Sequence, residues 1–412
     1  MAEIATPVCK LLSIKPAVQN YAWGKLGASS AVAALYSLHS SEPVDADKPY
    51  AELWMGTHPK GANTIAGTGT LLSQHLTAIP SLLGSYQDKG PIGQLPFLFK
   101  VLSVHKPLSI QAHPNKTLAV ELHSKQPDAY PDSNHKPELA IALTSFQALC
   151  GFRPLDQIRG NIEDNPELLA IVGADLLAAL KTANSEQDCK ASLKACFTKL
   201  FTTDLEVIKL QITALIARIE TTAHPLKDLI LYVQQHFPCD VGILCCFFLN
   251  HLTLQPGESI FLAANEPHAY LQGDCIECMA CSDNVVRAGL TPKYIDKDTL
   301  CEMLSYICRP AVDNKFQPVM LPEMSFITVY DPPVPDFSVR SIAPPLPIKN
   351  FSLPSLQGPS ILLVISGTAS LKEQGTSEPI NACKGSVLFV GGGTDVVFSD
   401  VIHPLVIYQG YY

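Results

Sequence analysis

The run LPFLFKVLSV at residues 95–104 is a short, almost continuously apolar stretch, closed by His105-Lys106-Pro107. Two further runs follow: PLSIQAH at 107–113 and ELAIALTSFQAL at 138–149, with proline and polar clusters between them. Apolar runs of this length between such breaks read as β-strands. Residues 1–152 are therefore expected to form a sheet-rich domain, with His58-Pro59-Lys60-Gly61-Ala62-Asn63 as one of its loops.

Moving outward, the pattern changes after Arg153-Pro154. Residues 162–236 contain almost no glycine, and Leu205, Ile208, Ile212, Leu215 and Ile219 recur at steps of three and four. That spacing places them on one face of a helix, with Asp204 as its N-cap and Pro225 beyond its end. The segment reads as a helical packing module without chemistry of its own. Strand character returns at 253–262, where Pro256-Gly257 marks a turn. Eight prolines between 331 and 359 suggest an extended connector. Beyond it, 361–371, 384–398 and 404–410 alternate strand and glycine turn, as in a small antiparallel sandwich or barrel. The Gly391-Gly392-Gly393 run lacks the lysine and following helix of a phosphate loop.

Composition narrows the function classes. The chain has 412 residues, 47% of them hydrophobic and 16% charged, enough for two or three domains with a substantial core and incompatible with general disorder. Net charge is −9 with no basic stripe, which argues against nucleic acid as a main partner. The longest apolar stretch, Val241–Leu249, is too short for a membrane span. MAEIATPVCK shows no secretory pattern. Thirteen cysteines without small-domain spacing fit a reducing compartment. The expectation is a soluble cytoplasmic protein.

Ligand-type side chains concentrate in three places. Ser109, Gln111 and His113 share one face if 107–113 is a strand. Glu138 opens the next strand, after Asn134-His135-Lys136-Pro137. Over a hundred residues later comes Ala264-Asn265-Glu266-Pro267-His268. Together Gln111, His113, Glu138 and His268 would make an N2O2 set suited to Zn²⁺ with room for water or substrate. Taken singly, a histidine on a strand is more often a hydrogen-bonded structural residue than a ligand. The competing metal motif, Cys275-Ile276-Glu277-Cys278-Met279-Ala280-Cys281, lacks a second cysteine pair and reads as a bulged strand with small buried thiols. Phe247, Phe248 and Met279 read as core.

The block ANEPHAYLQGDCIECMACSDNVVRAGLTPKYID at 264–296 closely resembles the signature of type I mannose-6-phosphate isomerases, zinc enzymes of the cupin superfamily. YAWG (21–24), AELWMGTHPKGAN (51–63), KPLSIQAHP (106–114) and NHKPE (134–138) extend the resemblance over nearly the whole chain, in the family's order. It implies a mainly β fold of cupin (jelly-roll) barrels with an all-α helical insertion. The catalytic core would be 1–152 and 240–330, the insertion 153–239, and a C-terminal cupin-like domain without its own ligand quartet 331–412. It also implies one Zn²⁺ per subunit on Gln111, His113, Glu138 and His268, with Arg287 as the catalytic arginine. Ala112 stands where the family commonly has valine, an outward-facing change expected to leave the site intact. Cys281 replaces a residue that is usually small or polar.

The implied reaction interconverts mannose 6-phosphate and fructose 6-phosphate through an enediol, feeding GDP-mannose synthesis. Lys136, Glu277, Asp283 and a zinc-bound hydroxide are all candidate bases, and Lys136 and Glu277 are expected beside Arg287 as catalytic residues. Arg287, permanently charged, suits enediolate or phosphate stabilisation. Ser109, Lys100, Lys293 and Asp283 are expected to contact substrate. The partner is thus a small sugar phosphate, and the protein is expected to be a monomer. Two other classes fit the same ligands: an Fe(II) oxygenase, disfavoured by the fourth ligand Gln111, and a sugar-phosphate sensor that never turns its ligand over.

Overall fold

Strand alternation decides what each side of the central sheet does. In the strand Phe97–Val104, the side chains of Phe97, Phe99 and Val101 enter one apolar core, whereas Leu98, Lys100 and Leu102 face the other way. The neighbouring strands repeat the division. Leu139 and Ile141, then Ile276 and Cys278, share the first core, while Glu138, Ala140 and Glu277 take the opposite face. One face is thus packing and the other encloses a polar interior. The computed structural model describes residues 8–375 and 378–412. The N-terminal segment without a secretory pattern lies, up to residue 7, outside the described residues.

Among those residues an eleven-stranded and a ten-stranded antiparallel sheet stack on one another. The first runs in the order Lys315–Phe316, Ser259–Leu262, Glu138–Ala142, His268–Ala280, Phe97–Val104, Glu52–Met55 and Ala17–Gln19. Phe146–Phe152, Leu249–Leu254, Ile110–Ala112 and Val286–Gly289 attach to it on the side of His268. The second sheet is built around the long strands Ser360–Glu373 and Val396–Tyr411. Ile361 and Leu363 in the former face the first sheet, and Leu362 and Val364 face its own interior. This is the mainly β, cupin-like architecture expected, with the helices set apart as an insertion.

The helices run from Leu155–Asp164 to Lys227–His236, followed by the short Gly242–Cys245. Their shared core includes Ile110, Ala112, Ala269 and Leu271, so the insertion packs against the back of the strands that carry Gln111 and His268. Ala112 accordingly faces away from Gln111, but toward buried helices rather than solvent. The helix Leu205–Thr221 forms as its spacing predicts, capped by the Asp204 side chain on the Glu206 N–H. Ile208, Ile212, Leu215 and Ile219 are buried; Leu205 is 59% exposed, because the first turn projects past its neighbours. Val241–Leu249 is the entry to the core, and no helix among the described residues is long and apolar enough to cross a membrane.

The proline-rich 331–359 segment is more than a connector: it contributes the strands Ser338–Ile342 and Phe351–Leu353 to the second sheet. Its prolines fall between the strands, where no ladder hydrogen bond is lost. That sheet also takes in Val319–Leu321, Met324–Tyr330 and, from the opposite end of the chain, Leu11–Lys15.

Candidate metal centre and active site

His268, Gln111 and Arg287 lie in one transverse row. Gln111 pairs with His268 across one ladder and with Arg287 across the next, and directly opposed residues of antiparallel strands share a face. His113 follows two residues after Gln111, and Glu138 opens the strand Glu138–Ala142, between Ser259–Leu262 and His268–Ala280 in the sheet. Ligating atoms of His113, Glu138 and His268 all lie within 4.8 Å of one another, and all three residues are buried. His113 Nε2 is 3.3 Å from one Glu138 oxygen, and His268 Nε2 is 3.6 Å from the other. The Gln111 amide sits 3.3 Å from His268 Nε2 and accepts a hydrogen bond from the Ser109 hydroxyl.

One long strand carries both His268 and Glu277, nine positions apart, which a regular strand would place on opposite faces. A register shift against Phe146–Phe152 skips Leu271, and Gly273 follows at φ +116°, where a side chain would collide with Ser145 and Phe146. This bulge reverses the alternation and turns both side chains inward. The expected bulge therefore lies upstream of the cysteine run, which pairs regularly with the Lys100 strand. Cys275 and Cys278 consequently face opposite cores, and Cys281 lies past the strand end, so the three thiols cannot share one metal.

Electrostatics fits a cation. His113 Nδ1 lies 2.8 Å from the Asn284 carbonyl and His268 Nδ1 lies 3.0 Å from the Glu266 carbonyl. Each Nδ1 must donate, which leaves both Nε2 lone pairs aimed at the cluster. His113 Nε2 and Glu138 Oε2 are buried without hydrogen-bond partners. Burial pushes the His113 pKa down to about 4, against the pull of Glu138. Burial works the other way on Glu138, but His113 and Lys136 outweigh it and hold the carboxyl well below the usual range. A neutral imidazole beside a carboxylate is the state a divalent ion requires. The interior counts three carboxylates (Glu52, Glu138, Glu277) against two ammonium groups (Lys100, Lys136), so a bound cation would offset the excess.

The other expected residues separate into two groups. Lys100 is buried, 2.9 Å from Glu277 and 3.3 Å from Glu52, with its ammonium over the Trp54 ring. Burial opposes its charge, but the two carboxylates prevail and raise its pKa. Held in this way, it braces the carboxylates of the interior. Burial raises the Glu277 pKa, with Lys100 opposing. Lys136 stands 3.4 Å from Glu138. Arg287 is half-buried and makes no ion pair among the described residues; desolvation lowers its pKa. Lys293 lies over the Tyr21 ring, where desolvation and Arg287 lower its pKa. Asp283 is engaged at the rim by Lys60 at 2.7 Å and His58 at 3.5 Å.

Residues 11–155 match the description of the phosphomannose isomerase type I catalytic domain, 171–249 its helical insertion domain and 328–374 its C-terminal region. Over 402 residues the chain is 46% identical to the mannose-6-phosphate isomerase of Homo sapiens, covering 94% of this chain and 95% of that one. It belongs to the type I phosphomannose isomerase family. Ogataea parapolymorpha supplies a relative at 42% identity over 399 residues, covering 92% and 93% of the two chains. Among solved structures, a zinc-bound mannose 6-phosphate isomerase matches with a TM-score of 0.82 at 30% identity, covering 98% of this chain and 99% of that one. A point mutant of the Salmonella typhimurium phosphomannose isomerase gives 0.84 at the same identity and coverage.

For this family member, reading by motif overlooked Glu52, Trp54, His58 and Lys60, all inside the quoted 51–63 stretch. A signal existed for the first two. Lys100 interrupts an apolar strand, and a buried ammonium needs carboxylate or aromatic partners.

Proposed function

We propose that this protein is a zinc-dependent aldose–ketose isomerase that interconverts mannose 6-phosphate and fructose 6-phosphate through an enediol. What carries the reading is the buried His113, Glu138 and His268 cluster, both imidazoles fixed with Nε2 inward, in a chain nearly half identical to proteins of that name. Gln111, His113, Glu138 and His268 would hold one zinc ion per subunit. When bound, zinc supplies Lewis acidity that stabilises negative charge on sugar oxygens.

The remaining work belongs to the chain's own side chains. Glu277, with its pKa raised by burial, is the proposed base that moves a proton between C1 and C2. Lys100 fixes that carboxylate in place, and Lys136 orients Glu138 while adding positive charge beside the enediolate. Arg287 and Lys293, cations at the mouth, are assigned to enediolate and phosphate charge. Ser109 orients Gln111, and Asp283 is placed near substrate hydroxyls. We place the protein in the cytoplasm as a monomer, at the step that supplies GDP-mannose synthesis. Thirteen free cysteines support the reducing compartment.

The test is conversion of mannose 6-phosphate to fructose 6-phosphate by purified protein, before and after chelation, with metal content measured alongside. Activity should vanish as zinc is stripped and return when it is restored. A zinc-loaded protein that converts neither sugar phosphate would overturn the isomerase reading, and full activity without metal would discard the zinc.

A further inference from the structure

The two imidazoles of the cluster are aimed by different means. His268 is fixed locally, by the carbonyl of Glu266 two residues before it. His113 depends instead on the carbonyl of Asn284, 171 positions along the chain, so its orientation is only as firm as the loop that carries Asn284.

That loop is tied to the 132–134 turn by a hydrogen-bond cluster centred on one carboxylate. Asp132 Oδ2 accepts the Asp283 N–H at 2.7 Å. Its Oδ1 accepts the Ser282 hydroxyl at 2.8 Å, the Asn134 N–H at 2.9 Å and the Asn284 amide at 3.2 Å. The Asn284 side chain, fully buried, also donates to the carbonyls of Asp132 at 2.6 Å and Asn134 at 3.0 Å. The Asp132 carboxylate thus meets all three residues of the 282–284 loop, which aims His113 and leads to Arg287, from the 132–134 turn, which leads to Lys136 and Glu138. All of its partners are donors, so the position requires a group that only accepts.

We propose that Asp132 is a positioning residue of the metal centre, setting the separation between His113 and Glu138 before any ion arrives. The proposal rests on the zinc reading above. Removing such a support weakens metal affinity by about 10–100-fold in comparable sites. Asp132→Asn is the sharpest variant: it keeps the shape but turns an amide N–H₂ toward a backbone N–H or a hydroxyl, donor against donor.

The experiment measures the zinc dissociation constant of stripped full-length protein by competition with a chromophoric chelator, for wild type, Asp132→Asn and Asp132→Ala. The melting temperature of the metal-free form is recorded for each. Zinc binding about 10–100-fold weaker in Asp132→Asn, with a metal-free melting temperature near that of wild type, is the expected result. Wild-type zinc affinity in folded Asp132→Asn would overturn the proposal. So would a lowered metal-free melting temperature with unchanged zinc affinity, since that is what a purely structural residue gives. Should Asp132→Ala fail to fold, the isosteric Asn variant decides alone. Failure of wild-type protein itself to bind zinc would instead strike the underlying function, and the two failures are told apart by that control.

Discussion

The two sheets enclose interiors of opposite character. Behind the strands of Glu138, Glu277 and Lys100, the first sheet surrounds five charged groups and two histidines together with the apolar Leu102, Leu254 and Ile260. The second sheet surrounds Leu11, Ile342, Leu362, Leu388, Phe398 and Ile407, with no histidine among the buried residues of that cluster. Arg340, buried in the same sheet, meets the Gln409 amide at 2.6 Å and the Tyr411 ring. Similar backbones thus carry different loads. Buried charges cost stability unless paired, and the first interior pairs each ammonium with carboxylates while leaving ligand atoms unpartnered. The second, Arg340 apart, is arranged for packing.

Removing one partner should hurt the first interior most. Lys100→Met would leave Glu52 and Glu277 facing each other in a dry interior, a loss of about 3–5 kcal/mol. Urea denaturation of the metal-free protein checks this, and adding Glu277→Gln should recover part of the loss. A loss below about 1 kcal/mol would mean the carboxylates are not held as ions there. In the second interior, Leu362→Ala opens a cavity costing about 2–4 kcal/mol. Because packing is its only role, the folded fraction should bind zinc as wild type does; weakened zinc affinity would show that the two sheets are coupled. The smallest effect belongs at the rim. Lys60 is largely exposed, and Lys60→Ala should change stability by no more than about 1 kcal/mol despite its 2.7 Å contact with Asp283, with the difference shrinking in high salt.

Local patterns in the sequence carry the strands around Lys100 and Glu138, the helix 205–221 and the ligand-type residues. They carry little that depends on distant pairing. Alternation along 107–113 places Gln111 and His113 on one face, because the rule involves near neighbours only. The same rule misplaces His268 relative to Glu277, since the sequence reading sets the bulge in the cysteine run and not at Leu271 and Gly273. The meeting of Lys100 with Glu52 from another strand is likewise invisible locally. Leu205 fits its helical stripe by period yet lies in a turn with nothing to cover it. The 331–359 prolines suggest a connector because strand pairing with Val396–Tyr411 is invisible locally.

The strand Leu11–Lys15 is paired with Val387–Val390, so almost the whole chain separates Leu11 from its partner Val390. At ribosomal speeds of roughly 5–20 residues per second, one of the first strands to emerge waits on the order of 20–75 s for that edge to be made. Until then only its second half has a native bed, the pairing of Ile14 and Lys15 with Thr64–Ile65, while Leu11 and Leu12 lack theirs. The seam it closes joins early-made to late-made chain, and so belongs to the last moments of folding.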